Sequence, residues 1–149
     1  MEIVAAHVSD AIDLTDLTIR SKSYWDYSTE QINLWREDLT IQAKYILENG
    51  VFKLSNDNQL IGYYSHFPII NKTAKLDNLF IDPQFIKQGF GSVLLFDFID
   101  RMKAIGVNKV TLDADPHAKA FYKKYDFITV GQKKTTIKNR FLPVMEREI

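Results

Sequence analysis

A chain of 149 residues suffices for one domain that buries most of the surface its unfolded form exposes, and 46% apolar with 26% charged residues excludes a disordered polymer. Nineteen basic residues offset nineteen acidic ones, and a formal charge of zero excludes a protein built mainly to coat nucleic acid through a basic face. With no cysteine, disulfides, thiolate metal sites and cysteine nucleophiles are excluded as well.

Residues 2–8 read as a strand. Ser9 or Asp10 then offers a cap for a helix carrying Leu14, Leu17 and Ile19 near helical spacing, with acidic residues in the first turn, where the helix dipole favours them. Residues 21–27 form an aromatic loop. Ser28 and Gln31 make a capping-box pattern ahead of a helix with Ile32, Leu34 and Trp35. Thr40 caps a shorter helix over 41–48, which Asn49-Gly50 ends by supplying a residue that tolerates positive φ. Residues 51–54, a polar turn at 55–58 and the run 59–70 read as an antiparallel hairpin, and 74–81 as a further strand closed by Asp82-Pro83. From Gly89 the pattern turns helical, with Val93, Leu94, Leu95, Phe98, Ile99 and Met102 inside over about four turns, until Gly106. A strand at 107–112, a short helix at 116–125 and strands at 127–130 and 135–145 complete the chain.

Early hairpins followed by a β–loop–α–β crossover imply an α/β domain with a mixed sheet and helices on its faces. No linker, repeat or low-complexity segment interrupts it, so residues 1–149 read as a single domain. His7, His66 and His117 lack metal-ligand spacing, and no metal is expected. No run approaches the ~20 apolar residues that span a bilayer. The first residues enter a strand pattern without a basic stretch ahead of an apolar one, so a cytoplasmic protein without membrane partners is expected. Lys133, Lys134, Lys138 and Arg140 read as a solvated strand face and turn rather than a binding patch.

The segment from Leu79 to Leu95 carries the chemistry. An apolar strand ends, a short loop follows, and Gly89 and Gly91 open a long apolar helix. Amides at a helix start lack intrahelical partners and carry partial positive charge, and glycines let backbone approach a phosphate closely. Ser92 offers a hydroxyl donor. The phosphate loop of nucleoside triphosphatases, with its Gly-Lys-Ser/Thr, is absent, and so is the three-glycine dinucleotide fingerprint.

Leu79-Phe80-Ile81-Asp82-Pro83 running into Gln88-Gly89-Phe90-Gly91-Ser92-Val93-Leu94-Leu95 resembles the central acetyl-CoA motif of GNAT-type N-acetyltransferases, Gln/Arg-x-x-Gly-x-Gly/Ala after a strand. Residues 115–127 resemble the family's Asn-x-x-Ala-x-x-Phe-Tyr-x-x-x-Gly-Phe segment, and the element order agrees over the whole chain. The resemblance implies an acyl-CoA N-acyltransferase fold: a mostly antiparallel, twisted sheet of about seven strands flanked by about four helices. It implies acetyl-CoA as cosubstrate, direct transfer to an amine and no metal. The backbone of Leu79, Phe80 and Ile81 is then expected along the pantetheine arm, and Ile86, Lys87, Gln88, Gly89, Phe90, Gly91 and Ser92 around the pyrophosphate, with His117 and Lys123 as further cofactor contacts. Three departures stand out: Ile86 for the family's Gln/Arg, His117 for the asparagine, and Asp126 for the glycine before Phe127.

Direct transfer needs a neutral amine, a polarised thioester carbonyl and a proton for the departing thiolate. An N–H of Phe80 or Ile81 suits the carbonyl. Tyr122 matches the family's general acid, with Phe121 assigned to the core because neighbours on a helix face about 100° apart. Asp77 is the candidate base, on a strand face expected to hold 75, 77 and 79 together; His66 and Tyr64 are weaker ones. Trp25, Tyr27 and Trp35 either wall an acceptor pocket or pack in the core. The acceptor is expected to be a small-molecule amine, with a protein amine open, and relatives often form homodimers. The alternative reading is a non-catalytic module that binds CoA.

Overall fold

The computed structural model describes residues 1–137 and 139–149. Seven strands form one sheet in the order β1-β2-β3-β4-β5-β7-β6: β1 Glu2–Ala5, β2 Gly50–Asn56, β3 Gln59–His66, β4 Thr73–Ile81, β5 Lys109–Asp113, β6 Ile128–Lys134 and β7 Phe141–Glu148. Among the described residues only β4 and β5 run parallel; every other pairing is antiparallel. Among the described residues five helices accompany them: α1 Ala11–Ser23, α2 Thr29–Trp35, α3 Ala43–Glu48, α4 Phe90–Ala104 and α5 Lys119–Lys124. The mixed, mostly antiparallel architecture is the one expected.

Two apolar clusters fill the faces of the sheet. On one, α4 lays Leu94, Leu95, Phe98, Ile99 and Met102 over Leu76, Val110, Leu112 and Met145. These α4 positions recur at helical spacing, and each fully buried side chain contributes on the order of 1.5–3 kcal/mol. On the other face, Leu14 and Leu17 of α1 and Ile46 of α3 cover Val51 and Tyr63. The helices are thus fixed by opposite faces of β3 and β4, and the loops at the carboxyl ends of β4 and β5 are left to build a site.

Local departures from the expected elements have physical causes. The first helical turn is capped by His7, whose ring accepts the Ser9 N–H while Asp10 accepts the His7 N–H, so β1 stops at Ala5. α1 runs on through Ser23, taking Ser21 out of the aromatic loop. Ser28 does cap α2, accepting from Gln31 N–H at 3.0 Å. α3 begins after Gln42 rather than Thr40, whose hydroxyl is donated back to the Arg36 carbonyl. Neither Asn49 nor Gly50 takes positive φ at the end of α3. Gly50 is instead needed for space, because a Cβ there would lie 2.1 Å from His66 Nε2. The hairpin turn narrows to Asp57-Asn58, both with positive φ, as in a mirror-image two-residue turn. The helix expected over 116–125 is a 3₁₀ turn, Pro116–Ala118, followed by α5. Asp126 keeps the left-handed conformation (φ 68°) that the resemblance assigns to glycine.

Candidate active site

β4 and β5 pair over only four residue pairs, from Thr73 with Lys109 to Leu76 with Leu112. Beyond them β4 continues for five residues along β3, while β5 stops at Asp113. The strands splay, and a cleft of about 500 Å³ opens between them. The backbone of residues 79–81 forms one wall of that cleft, and α5 with its preceding turn forms the other. Along a strand paired on one side only, every second N–H and C=O points away from the partner.

At one end the cleft is closed by the loop into α4. Asp82 accepts the Gln84 N–H at 3.1 Å and starts the 3₁₀ turn Pro83–Phe85. Lys87 (φ 66°) and Gly89 (φ 86°) then take left-handed conformations that rotate the chain into the helix. No side chain caps α4, and the first helical amide to find an acceptor is Val93, on Gly89 O at 3.3 Å. Among the described residues, the amides of residues 87–92 have no backbone acceptor. A Cβ on Gly89 would meet nothing within 4 Å, so the space before these donors is open. Such a row of amides at a helix start suits an anion. Ser92 adds less than expected: its hydroxyl is donated to Gly89 O at 2.8 Å.

At the middle of the cleft lies α5. Tyr122 is buried, yet no protein group among the described residues hydrogen-bonds its hydroxyl, and its ring lines the cleft. Burial, aided by the charge of Asp115, pushes its phenol above the ordinary tyrosine value, so it carries its proton at neutral pH. Phe121 is the more exposed of the two and also lines the cleft, its ring 3.4 Å from where a Gly91 Cβ would stand. Of the expected division, Tyr122 does line the cleft, but Phe121 lines it too and is not withdrawn into the core. The two rings meet edge-on, centroids 5.1 Å apart, and present different parts of one wall.

Of the other expected cofactor residues, Leu79, Phe80, Ile81, Ile86, Lys87 and Phe90 line the cleft, as does His117. Gln88 does not, and its side chain donates to Gln84 O at 3.2 Å. Lys123 lies on a separate hollow with Lys119 and Asp126, while its neighbour Lys124 reaches the cleft. The asparagine position of the second motif is filled by Asp115 rather than His117, since Asp115 caps the turn by accepting the His117 N–H at 2.9 Å.

Asp77 stands apart from the cleft lining. The register of β3 with β4 shifts between Ser65 and His66, so Asp77 occupies a bulge. That extra residue breaks the expected shared face: Leu79 packs with the α4 cluster, whereas Asp77 turns to α3 and accepts the Tyr45 hydroxyl. Part of Asp77 reaches solvent, but packing around its carboxyl raises it above the ordinary aspartate value, opposed by the Tyr45 hydrogen bond and by Lys75. His66 and Tyr64 are both taken up in packing beneath α4. The His66 ring lies tilted against Phe98 with Nδ1 beside Phe67 O, and the Tyr64 hydroxyl donates to Asp97 at 2.7 Å.

The far end of the cleft holds a cluster that no local pattern announces. Lys22 of α1 and Arg140, before β7, both pair with Asp115. Both cations also lie over Tyr27 and Trp35, 5.1–5.4 Å from the ring centroids. Burial alone would raise the Asp115 carboxyl, but Lys22, the His117 N–H and the Tyr27 hydroxyl outweigh it and hold it below the usual aspartate value. Trp25 stacks on His117 (4.8 Å, 11°) and lines the cleft beside Lys22. Trp25 therefore lines this end, while Tyr27 and Trp35 lie against Lys22 and Arg140 rather than in the core, and Arg140 leaves the basic strand face to join them. Lys138 lies outside the described residues. Lys22 and Asp115 were not singled out by sequence reasoning; Asp115, preceding Pro116 as a turn cap, was the one visible signal.

A splayed parallel pair beside a bare helix start is an arrangement suited to holding an anionic ligand with backbone amides. A model of the GNAT acetyltransferase domain matches residues 24–148, and the chain belongs to that family. It is 28% identical over 109 residues to the uncharacterized N-acetyltransferase YafP of Escherichia coli (strain K12), covering 72% of this chain and 66% of that one, just under two thirds of its length. The PaiA N-acetyltransferase of Thermoplasma acidophilum, solved in complex with coenzyme A, superposes with a TM-score of 0.80 at 23% identity over 99% of this chain and 98% of that one. A GNAT acetyltransferase of Elizabethkingia anophelis with acetyl-CoA bound gives 0.74 at 20% identity, over 99% and 97%. Among the described residues no helix is long and apolar enough to cross a membrane, and no group of acidic residues and histidines is arranged to hold a metal.

Proposed function

We propose that the chain moves an acetyl group from acetyl-CoA directly onto the nitrogen of a small-molecule amine in the cleft between β4 and β5. The observation that carries this reading is the row of acceptorless amides over residues 87–92, opening onto space a glycine leaves clear. The groups present fit the cosubstrate. Those amides suit its diphosphate, and the free edge of residues 79–81 suits an amide-bearing arm. The apolar walls formed by Leu79, Phe90 and Phe121 suit its methylenes.

In the reaction the amine lone pair attacks the thioester carbonyl, and an N–H of Phe80 or Ile81 stabilises the developing oxyanion. The C–S bond then breaks, and Tyr122, kept protonated by its surroundings, donates to the departing sulfur. The ammonium proton leaves through water to Asp77, whose raised carboxyl is nearer to such a task than an ordinary aspartate. No cysteine is present to form an acyl-enzyme.

Ile86 and the position of Asp77 outside the cleft lining favour a second reading, a module that binds CoA without turnover. A thermal shift with acetyl-CoA, followed by thiol release over an amine panel, decides between them. Shift with turnover is the expected result. Shift without turnover on any amine selects the binding module, and no shift at all defeats both.

A further inference from the structure

Polyamines, aminoglycosides and amino acids are all amines, but they differ in what accompanies the reacting nitrogen. Lys22, Arg140 and Asp115 keep only 15%, 16% and 22% of their side-chain surface exposed, so two largely buried cations share one carboxylate. Burying a charge is costly unless it is paired. Arg140 spends a single terminal nitrogen on its partners, Nη2, which donates to the Tyr27 hydroxyl at 2.9 Å and to Asp115 at 3.4 Å. Its Nε and Nη1 have no protein acceptor among the described residues. Tyr27 and Trp35, the ring pair that would otherwise cradle a cationic acceptor, are already covered by Lys22 and Arg140.

The cluster is also close to the reacting end. Lys22 and Asp115 line the cleft with Tyr122, and the charge of Asp115 reaches the Tyr122 phenol. An acceptor whose nitrogen approaches that phenol has its next substituents beside Lys22 on the cleft wall, with Arg140, which does not itself line the cleft, paired to the same carboxylate. We propose that Arg140, with Lys22, is a specificity-determining pair that binds a carboxylate on the acceptor, so that the acceptors are amino acids or similar small amines bearing an acid. The proposal rests on the acetyltransferase reading. It assigns the surplus guanidinium donors to a planar carboxylate, the geometry they match two at a time.

The experiment compares free amino acids with their carboxamides, and with spermidine, as acceptors, reading thiol release while acetyl-CoA affinity is measured separately by calorimetry. For the preferred amino acid, kcat/KM should exceed that of its amide at least tenfold. Arg140→Gln should erase this preference through KM while leaving acetyl-CoA affinity within twofold, and Arg140→Lys should restore part of it. Amides or spermidine used as well as the free acid would overturn the proposal, as would a preference unchanged in Arg140→Gln. If no acceptor turns over, N-acetyl amino acids and their amides are titrated into the protein with and without CoA. Binding of the acids alone upholds the proposal, and equal or absent binding of both overturns it. Failure of acetyl-CoA to bind is a distinct result and defeats the reading beneath it.

Discussion

The two ends of the cleft are built in opposite ways. At the α4 end the groups left without a protein acceptor among the described residues are main-chain amides, displayed by two left-handed residues and a helix start. At the far end the groups are side chains brought from α1, the α1–α2 loop, the turn before α5 and the loop before β7 onto one carboxylate. On the proposed function, recognition by backbone tolerates the loss of a side chain, so Ile86 can stand where the family carries Gln or Arg. Side-chain recognition allows no such exchange, because each member of the Asp115 cluster satisfies another.

Four substitutions test that contrast. Gly89→Glu should have the largest effect. It forces a carboxylate onto the open side of the amides and a Cβ onto φ 86°, and acetyl-CoA affinity measured by calorimetry should fall at least 100-fold, about 2.8 kcal/mol. Retention within tenfold would move the diphosphate elsewhere. Tyr122→Phe should lower kcat about 100-fold, as expected for a lost general acid, with acetyl-CoA affinity within twofold. An unchanged rate removes Tyr122 from the chemistry.

Asp115→Asn probes the side-chain end and should cost about 1–2 kcal/mol at pH 7 in urea unfolding, discounted for the cluster's partial exposure. Because the folded carboxyl is held below its unfolded value, its contribution is complete above about pH 4 and is lost as pH falls through the folded value. The variant should therefore differ least from the parent in acid, and a constant difference down to pH 2 would refute the pairing. Ile86→Arg should have the smallest effect, tightening acetyl-CoA about three- to tenfold by adding one charge-assisted contact to a cradle that already works. Weaker binding would mean that Ile86 packs on the ligand.

The contrast also explains what the sequence disclosed. Gly89, Gly91 and the apolar spacing of α4 are local signals, since positive φ, close approach and helical burial each leave a mark on neighbouring residues. The loop and the sheet's mixed topology were legible for that reason. The face of Asp77 was not, because a single bulged residue reverses the alternation beyond it and nothing in residues 73–81 marks it. Lys22 and Arg140 resembled ordinary solvated charges; only the fold carries them to the same rings. Gly50 looked like a helix terminator, but its partner, His66, belongs to the next strand.

The short pairing of β4 with β5 leaves a rim of unsatisfied strand inside the molecule rather than at its perimeter. Exposed rims invite other chains to add themselves, and proteins commonly blunt them with charge or proline. Here the rim lies within the cleft, walled by α5 and the turn before it. The gap that shortens the seam between the two halves of the sheet thus sets this open edge inside a walled cleft, away from the outer strands β1 and β6.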